Sequence, residues 1–550
     1  MDINRTRLFL YVALAFLCFN LYTLWIKEHP APAVVAQNTT PSTQTANSVN
    51  LDELPAPVEA NSAALTPVDH KEVDAAQLIS VETDVLRLKI SPKGGDIVYA
   101  ELKNYPQTLN DASHGFVLLD KSDARHYYLQ SGLLAEDGPD SYRSGRGWYT
   151  SKQTQYVLQT DQKMLEVPLT WQDDQGILII KRFRLYPGEY RVEVEHTVTN
   201  HRDLPWQGNA YGQIARKPLE HEKSKAGFLM MQTYQGGAIS TPEKPFKKLP
   251  YDKFNKTQKT TVSGGWAAMV EHYFLSAWIP DKQDTQQYFS RLNQQGEYVL
   301  GSVGPQINVA SQQSVTTHGQ VYLGPEIAET LSAIAPGLEL TVDYGFLWPV
   351  SSFLFWLLKH IHIYVGNWGW AIIALTCVIK LAFYKLSATS YRSMGNMRRL
   401  QPKIEQLKQT YGEDRGAFSQ KMMELYRKEK VNPLGGCLPI LVQIPVFIAF
   451  YYMLLESVEL RLAPFMFWIQ DLSSKDPFYV LPIIMGVTML LQQKMNPTPP
   501  DPIQAKMMMA MPFIFTVLFL QFPSGLVLYW VANNLLSITQ QWFILRKLEK

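Results

Sequence analysis

The chain is poor in cysteine, has no excess of either charge and lacks the common signatures of catalysis. Three cysteines occur in 550 residues (Cys18, Cys377 and Cys437), each in or beside an apolar run. Residues 27 to 340 contain none, so no disulfide frame holds that region together. The 51 Lys and Arg nearly balance the 49 Asp and Glu, and a net charge of +2 argues against a bulk nucleic-acid binder. There is no glycine-rich phosphate loop of the Walker A pattern, no metal-ligand spacing and no nucleophile elbow. His196, His221 and His272 are scattered, and a lone strand histidine is more often structural. These absences lead us to expect no enzyme activity, no cofactor and no small-molecule substrate.

What the chain does have is apolar sequence placed unevenly, at the N-terminus and after about residue 345. Leu8–Ile26 is 19 uncharged residues preceded by Arg5 and Arg7, which suits a membrane anchor with its basic end in the cytoplasm. Ala31-Pro32-Ala33 leaves a cleaved signal as the other reading. Residues 27–77 are rich in Pro, Ala, Thr, Asn, Ser and Gln and read as a disordered tether, with too little apolar surface to offset ordering entropy.

From 78 to 332 the pattern becomes short alternating runs. Phe183 and Leu185, then Val192 and Val194, flank Pro187-Gly188 as in a β-hairpin. Leu86, Leu88 and Ile90 alternate likewise before Pro92-Lys93-Gly94-Gly95. About 250 residues of this kind suggest one large β-sandwich.

The core at 333–550 holds the membrane segments. Residues 345–364 are aromatic and apolar but carry Lys359, His360 and His362. Phe353, Trp356, Leu357, Leu358 and Ile361 can share a face, which predicts an amphipathic helix on the outer membrane surface. Spans follow at 366–386, 437–455 and 478–495. The uncharged run 507–545 is too long for one crossing and breaks at Phe522-Pro523-Ser524-Gly525, giving spans 507–521 and 523–545. With the anchor, that makes six. Ten Lys and Arg fall within 387–436, two within 458–477, and Arg546, Lys547 and Lys550 near the end. The positive-inside rule then puts both termini in the cytoplasm and residues 27–344 in the periplasm. Met397, Leu400, Ile404, Leu407 and Tyr411, then Phe418, Met422 and Leu425, predict a cytoplasmic helical hairpin over 387–431. Its basic exterior includes Arg398, Arg399, Lys403, Lys408 and Arg415. It reads as a docking surface or as a solvated loop. Pro402 calls for a break or fresh start in its first helix.

Lys380 is the most informative residue. A lipid-facing charge costs about 2.5–3.5 kcal/mol on insertion scales, so a lysine here either snorkels to the headgroups or faces a partner or watery cavity. Thr376, Lys380 and Ser387 mark one polar stripe on its span. Asn533, Ser537 and Gln540 mark another on the last span. Such stripes glue helices together or line water, and the lack of a nearby acidic partner favours the wet cavity. Of the 18 methionines, 13 lie after residue 386, fitting an adaptable apolar surface or simple gap filling.

Three strings carry a resemblance: Lys430–Leu454 (KVNPLGGCLPILVQIPVFIAFYYML), Leu481–Pro497 (LPIIMGVTMLLQQKMNP) and Pro523–Asn534 (PSGLVLYWVANN). With Leu400-Gln401-Pro402-Lys403-Ile404, they resemble the bacterial YidC membrane-protein insertase family, relatives of the mitochondrial oxidase-assembly and chloroplast Albino proteins. The motifs cover about 345–545; upstream the likeness is architectural. The resemblance implies a polytopic α-helical protein of the bacterial inner membrane with a five-helix insertase core. It also implies a periplasmic all-β supersandwich similar to sugar-mutarotase folds, and a hydrophilic groove open to cytoplasm and lipid. The family's groove arginine is replaced here by Lys380, which keeps the charge and loses the planar fork. Thr376, Gln443, Gln493 and Trp530 match substrate-contacting or groove-lining positions, and we add Asn533 from the last-span stripe. The implied partners are nascent inner-membrane proteins, the lipid bilayer, the Sec translocon and the ribosome, the last through the hairpin because no long basic tail follows Arg546-Lys547. Two other readings remain at this point. One is a secondary transporter with Lys380 as counter-ion, although no internal repeat is visible. The other is a sugar-binding β-domain anchored by the spans.

Overall fold

The computed structural model describes residues 78–549 except 110, 142–144, 219–232, 413, 430, 432–437 and 498–501. The expected anchor (1–26) and tether (27–77) lie outside the described residues, as do Cys18, His221 and Cys437.

Two mainly antiparallel sheets fill residues 79–325. Among the described residues one has 12 strands and the other eight. The larger runs, along its main path, through 258–263, 285–292, 298–309, 206–216, 127–134, 111–120, 96–108, 86–91, 79–82 and 155–157. The smaller runs through 247–249, 236–239, 267–271, 274–280, 314–325, 191–200, 177–185 and 165–172. Both hairpins anticipated from alternation are present. Leu185 pairs with Val192 across the turn holding Gly188, whose φ is +72°. Ser91 pairs with Asp96 around Gly94 and Gly95, at +75° and +62°, where a side chain would be strained.

Apolar side chains from both sheets, among them Phe183, Trp206, Leu300 and Val321, form one contiguous core. Trp278 crosses it: it stands on a strand of the smaller sheet and its indole N–H donates to Ser302 Oγ of the larger one at 3.2 Å. Space for the ring comes from Gly212 and Gly319. A Cβ at either would lie 2.2 or 2.5 Å from the indole.

Helices follow. Ala328–Ile334 (α1) is short. Trp348–Val365 (α2) ends on Gly366 in the left-handed conformation at φ +70°. Trp368–Ala382 (α3) starts from Asn367, whose side chain accepts the Trp370 N–H at 3.1 Å. Tyr384–Arg399 (α4), Gln401–Tyr411 (α5) and Arg415–Lys428 (α6) come next, then Leu438–Glu456 (α7), Val480–Met495 (α8), Pro502–Phe519 (α9) and Ser524–Glu549 (α10). Pro402 sits in the first turn of α5, after the break at Leu400.

One expectation needs correction. The continuous span 366–386 is two helices, α3 and α4, bent by 69° at Phe383. On α2 the residues packed inward are Ser351, Leu354, Phe355 and Leu358, while Phe353 and Trp356 are exposed. The reason is that α2 packs on the bundle, with the Ser351 hydroxyl donating to the Ala449 carbonyl of α7 at 3.0 Å. Among the described residues no single helix is long and apolar enough to cross a membrane, although the bent α3–α4 pair passes together. At about 1.5 Å per residue α10 has ample length, but Asn533, Asn534, Ser537, Gln540 and Gln541 interrupt its apolar face.

Candidate functional site

α3, α4, α7 and α10 line a partly open cleft. Ile379, Lys380 and Phe383 line it from the bend, Leu386 and Ser387 from the start of α4. Val442, Gln443 and Val446 close it from α7, and Tyr529 and Asn533 from α10. The bend explains how Lys380 and Ser387 both reach it. An unbroken helix would stack them along one stripe, whereas the break at Phe383 folds the second helix around the cleft.

Lys380 lies in the last turn of α3 and its Nζ donates to Ser537 Oγ at 2.7 Å. The described lining contains no carboxylate, and the amine sits among amide, hydroxyl and apolar groups. Such a cleft can offer hydrogen bonds and positive charge to a short polar segment, while its Ile, Val, Leu and Phe walls suit apolar chain.

The other anticipated residues divide. Asn533 and Gln443 are on the lining. Thr376 is buried off it, its hydroxyl donating to the Ile372 carbonyl of its own helix at 2.7 Å. Trp530 packs between Phe447 and Phe519, ring centroids at 4.7 and 5.3 Å, and Tyr529 takes the cleft side instead. Gln493 is half-buried near the end of α8 and also off the lining. Polar residues of α10 serve two ends. Asn533 and Ser537 point toward Lys380, while Asn534 donates to Thr488 Oγ1 at 3.1 Å and Gln541 to Asn496 Oδ1 at 3.1 Å, tying α10 to the α8 side. Tyr529 gives no polar signal in the sequence, being an aromatic in an apolar run.

α5 and α6 form an antiparallel pair held by Leu400, Ile404, Tyr426 and Val431. Arg398, Arg399, Lys403 and Lys408 are exposed around it, Lys403 paired to Glu429 at 2.6 Å. Arg415 opens α6. Among the described residues no group of three or more His, Cys, Asp and Glu could hold a metal ion.

Comparison with known proteins covers the whole chain. The family model described as the YidC periplasmic domain matches residues 78–357, and that of the 60Kd inner membrane protein matches 360–550. A membrane protein insertase YidC of Azotobacter vinelandii is 47% identical over 559 residues, covering 100% of this chain and 99% of the relative. One from Pseudomonas putida is 48% identical over 560 residues with the same coverage. A solved structure described as an active YidC insertase with its first transmembrane domain resolved is 17% identical. It covers 84% of this chain and 92% of that one, with a TM-score of 0.38.

Proposed function

The chain belongs to the YidC family of membrane protein insertases, and from that premise we propose that its cleft at Lys380 is the groove through which clients pass. It is an inner-membrane insertase with a periplasmic β-sandwich domain and a C-terminal helical region. The observation that carries the groove reading is Lys380 itself, a cation in a cleft whose described lining holds no acid.

A client's hydrophobic segment with a short polar tail enters from the cytoplasm. The tail, often acidic, rests beside Lys380, Gln443 and Asn533, so it crosses a thinner apolar barrier. The segment slides along the outer faces of α3 and α7 and partitions into lipid. Burial of its apolar surface drives the net step, at roughly 25 cal/mol per Å², and no nucleotide is required. Six spans, with 1–26 as the first and both termini cytoplasmic, follow from the distribution of Lys and Arg. The exposed bases of α5 and α6 then face the cytoplasm, where they suit a ribosome; the Sec translocon is the membrane partner. Thr376, Trp530 and Gln493 support the groove from behind its lining.

The test is reconstitution in liposomes with a single-span client bearing an acidic tail, read by protease protection. Wild type should insert it, Lys380→Ala should do so less well, and Lys380→Glu should lose most of the activity, because like charge repels the tail. Equal insertion by all three would make Lys380 a snorkelling lysine and sink the groove reading.

A further inference from the structure

Lys380 could swing to the headgroups on its four-carbon stem, and what holds it in the cleft is one oxygen on another helix. Ser537 Oγ accepts its amino group at 2.7 Å. The Ser537 proton is already committed, because Oγ donates to the Asn533 carbonyl one turn back at 2.7 Å. That leaves a hydroxyl oxygen with two lone pairs for incoming donors. Ser537 is buried, so water has little access to that oxygen. The amine has three N–H donors and spends one of them on this bond, leaving the others for the cleft.

We propose that Ser537 is the positioning residue for Lys380, and that the pair sets the preference of the insertase for acidic over neutral translocated tails. This rests on the groove reading above. Without the serine oxygen the amine is released to snorkel and the cleft loses its fixed cation.

Two clients differing only in tail, one with aspartates and one with asparagines, would be inserted into liposomes by the full chain. Ser537→Ala should lower acidic-tail insertion by about tenfold, the scale of a hydrogen bond to a charged group, and leave the neutral tail unchanged. Ser537→Thr, which keeps the hydroxyl, should restore wild-type behaviour. In a Lys380→Met background Ser537→Ala should have no further effect. A loss on both tails alike, or a further loss in that background, would show a merely structural serine and overturn the proposal. A defect in Lys380→Met with normal Ser537→Ala would overturn positioning alone. A normal Lys380→Met would remove the groove reading and this proposal together.

Discussion

Among the described residues, Lys380 and Lys181 are both largely withdrawn from solvent, and they are held in different ways. Lys380 has one side-chain acceptor and open space. Lys181 is fully buried between the sheets, donating to the carbonyls of Gly94, Gly95 and Ser131 at 3.1, 2.8 and 2.8 Å. Beside it Arg146 binds Asp140 at 2.9 Å and also Asp96, so the carboxylates are matched by cations. Burial pushes the Lys181 ammonium down to about 7, against the ordinary 10.5. Between those values the unfolded chain holds a proton that the folded chain has released. The Lys181 contribution to stability therefore rises with pH across that window. Urea-dependent proteolysis of the intact protein, scoring survival of the sandwich, should show that rise from pH 7 to pH 9, and Lys181→Met should flatten it. The same variant removes a donor from all three carbonyls. Gly94 and Ser131 keep Arg146 Nη2 at 3.0 and 3.5 Å. The Gly95 carbonyl loses its side-chain donor at a cost of about 1–3 kcal/mol, so the variant should also be less stable than wild type at pH 9. Alternation alone put Lys181 on an inward position, in step with Ile177, Ile179, Phe183 and Leu185. The carbonyls that satisfy it come from loops and a strand 50 to 87 residues away in sequence, which no local pattern contains.

Elements were legible where their signals are local. The Pro187-Gly188 hairpin and the break before α10 rest on residues whose backbone preferences act within a few positions. The bend at Phe383 carries no proline or glycine. The apolar run continues smoothly through it, so nothing local marks it. Close approach between helices is similarly silent in sequence. α8 meets α9 at Gly486, where a Cβ would lie 2.1 Å from Thr516 Oγ1. Gly486→Ala should therefore destabilise the pair by about 1–3 kcal/mol through overpacking. Adding Thr516→Ala should recover part of that loss in thermal unfolding in detergent, since the nearest remaining side-chain atoms stand at 3.3 Å or more. No recovery would place the strain elsewhere.

On the scale of the whole molecule, the sandwich is fastened to the helical region by few but specific contacts. The Arg461 guanidinium, in the loop after α7, donates to the carbonyls of Pro106 and Gln107 at 2.8 and 3.1 Å. It also lies over the Phe116 and Phe274 rings. The His272 ring nitrogen bonds the Leu455 carbonyl at 2.8 Å. Glu326, just past the last strand, is buried there with Glu456 and Asp343 nearby, and Asp343 is paired to Lys248. Burial first, then those carboxylates, push the Glu326 carboxyl well above the ordinary range. A raised carboxyl favours the folded joint while it is protonated, and that contribution is lost as pH climbs through its folded value. Protease cutting between the last strand and α2 should therefore increase with rising pH. Glu326→Gln, which stays neutral, should weaken the trend, and Arg461→Ala should raise cutting at every pH.

The sequence by itself determined the class of each region, because alternation, apolar run length and the placement of Lys and Arg are summed over many residues and survive local exceptions. It also singled out Lys380, since a charge in an apolar run is conspicuous without any partner in view. Only the tertiary structure decided which neighbours share the cleft with that lysine. Tyr529 rather than Trp530 faces it, Thr376 turns back on its own helix, and Ser537 takes the amine. Adjacent positions on a helix point about 100° apart. A bend of 69° re-aims everything beyond it, so the side chains that meet are settled by how helices pack and not by their spacing along the chain.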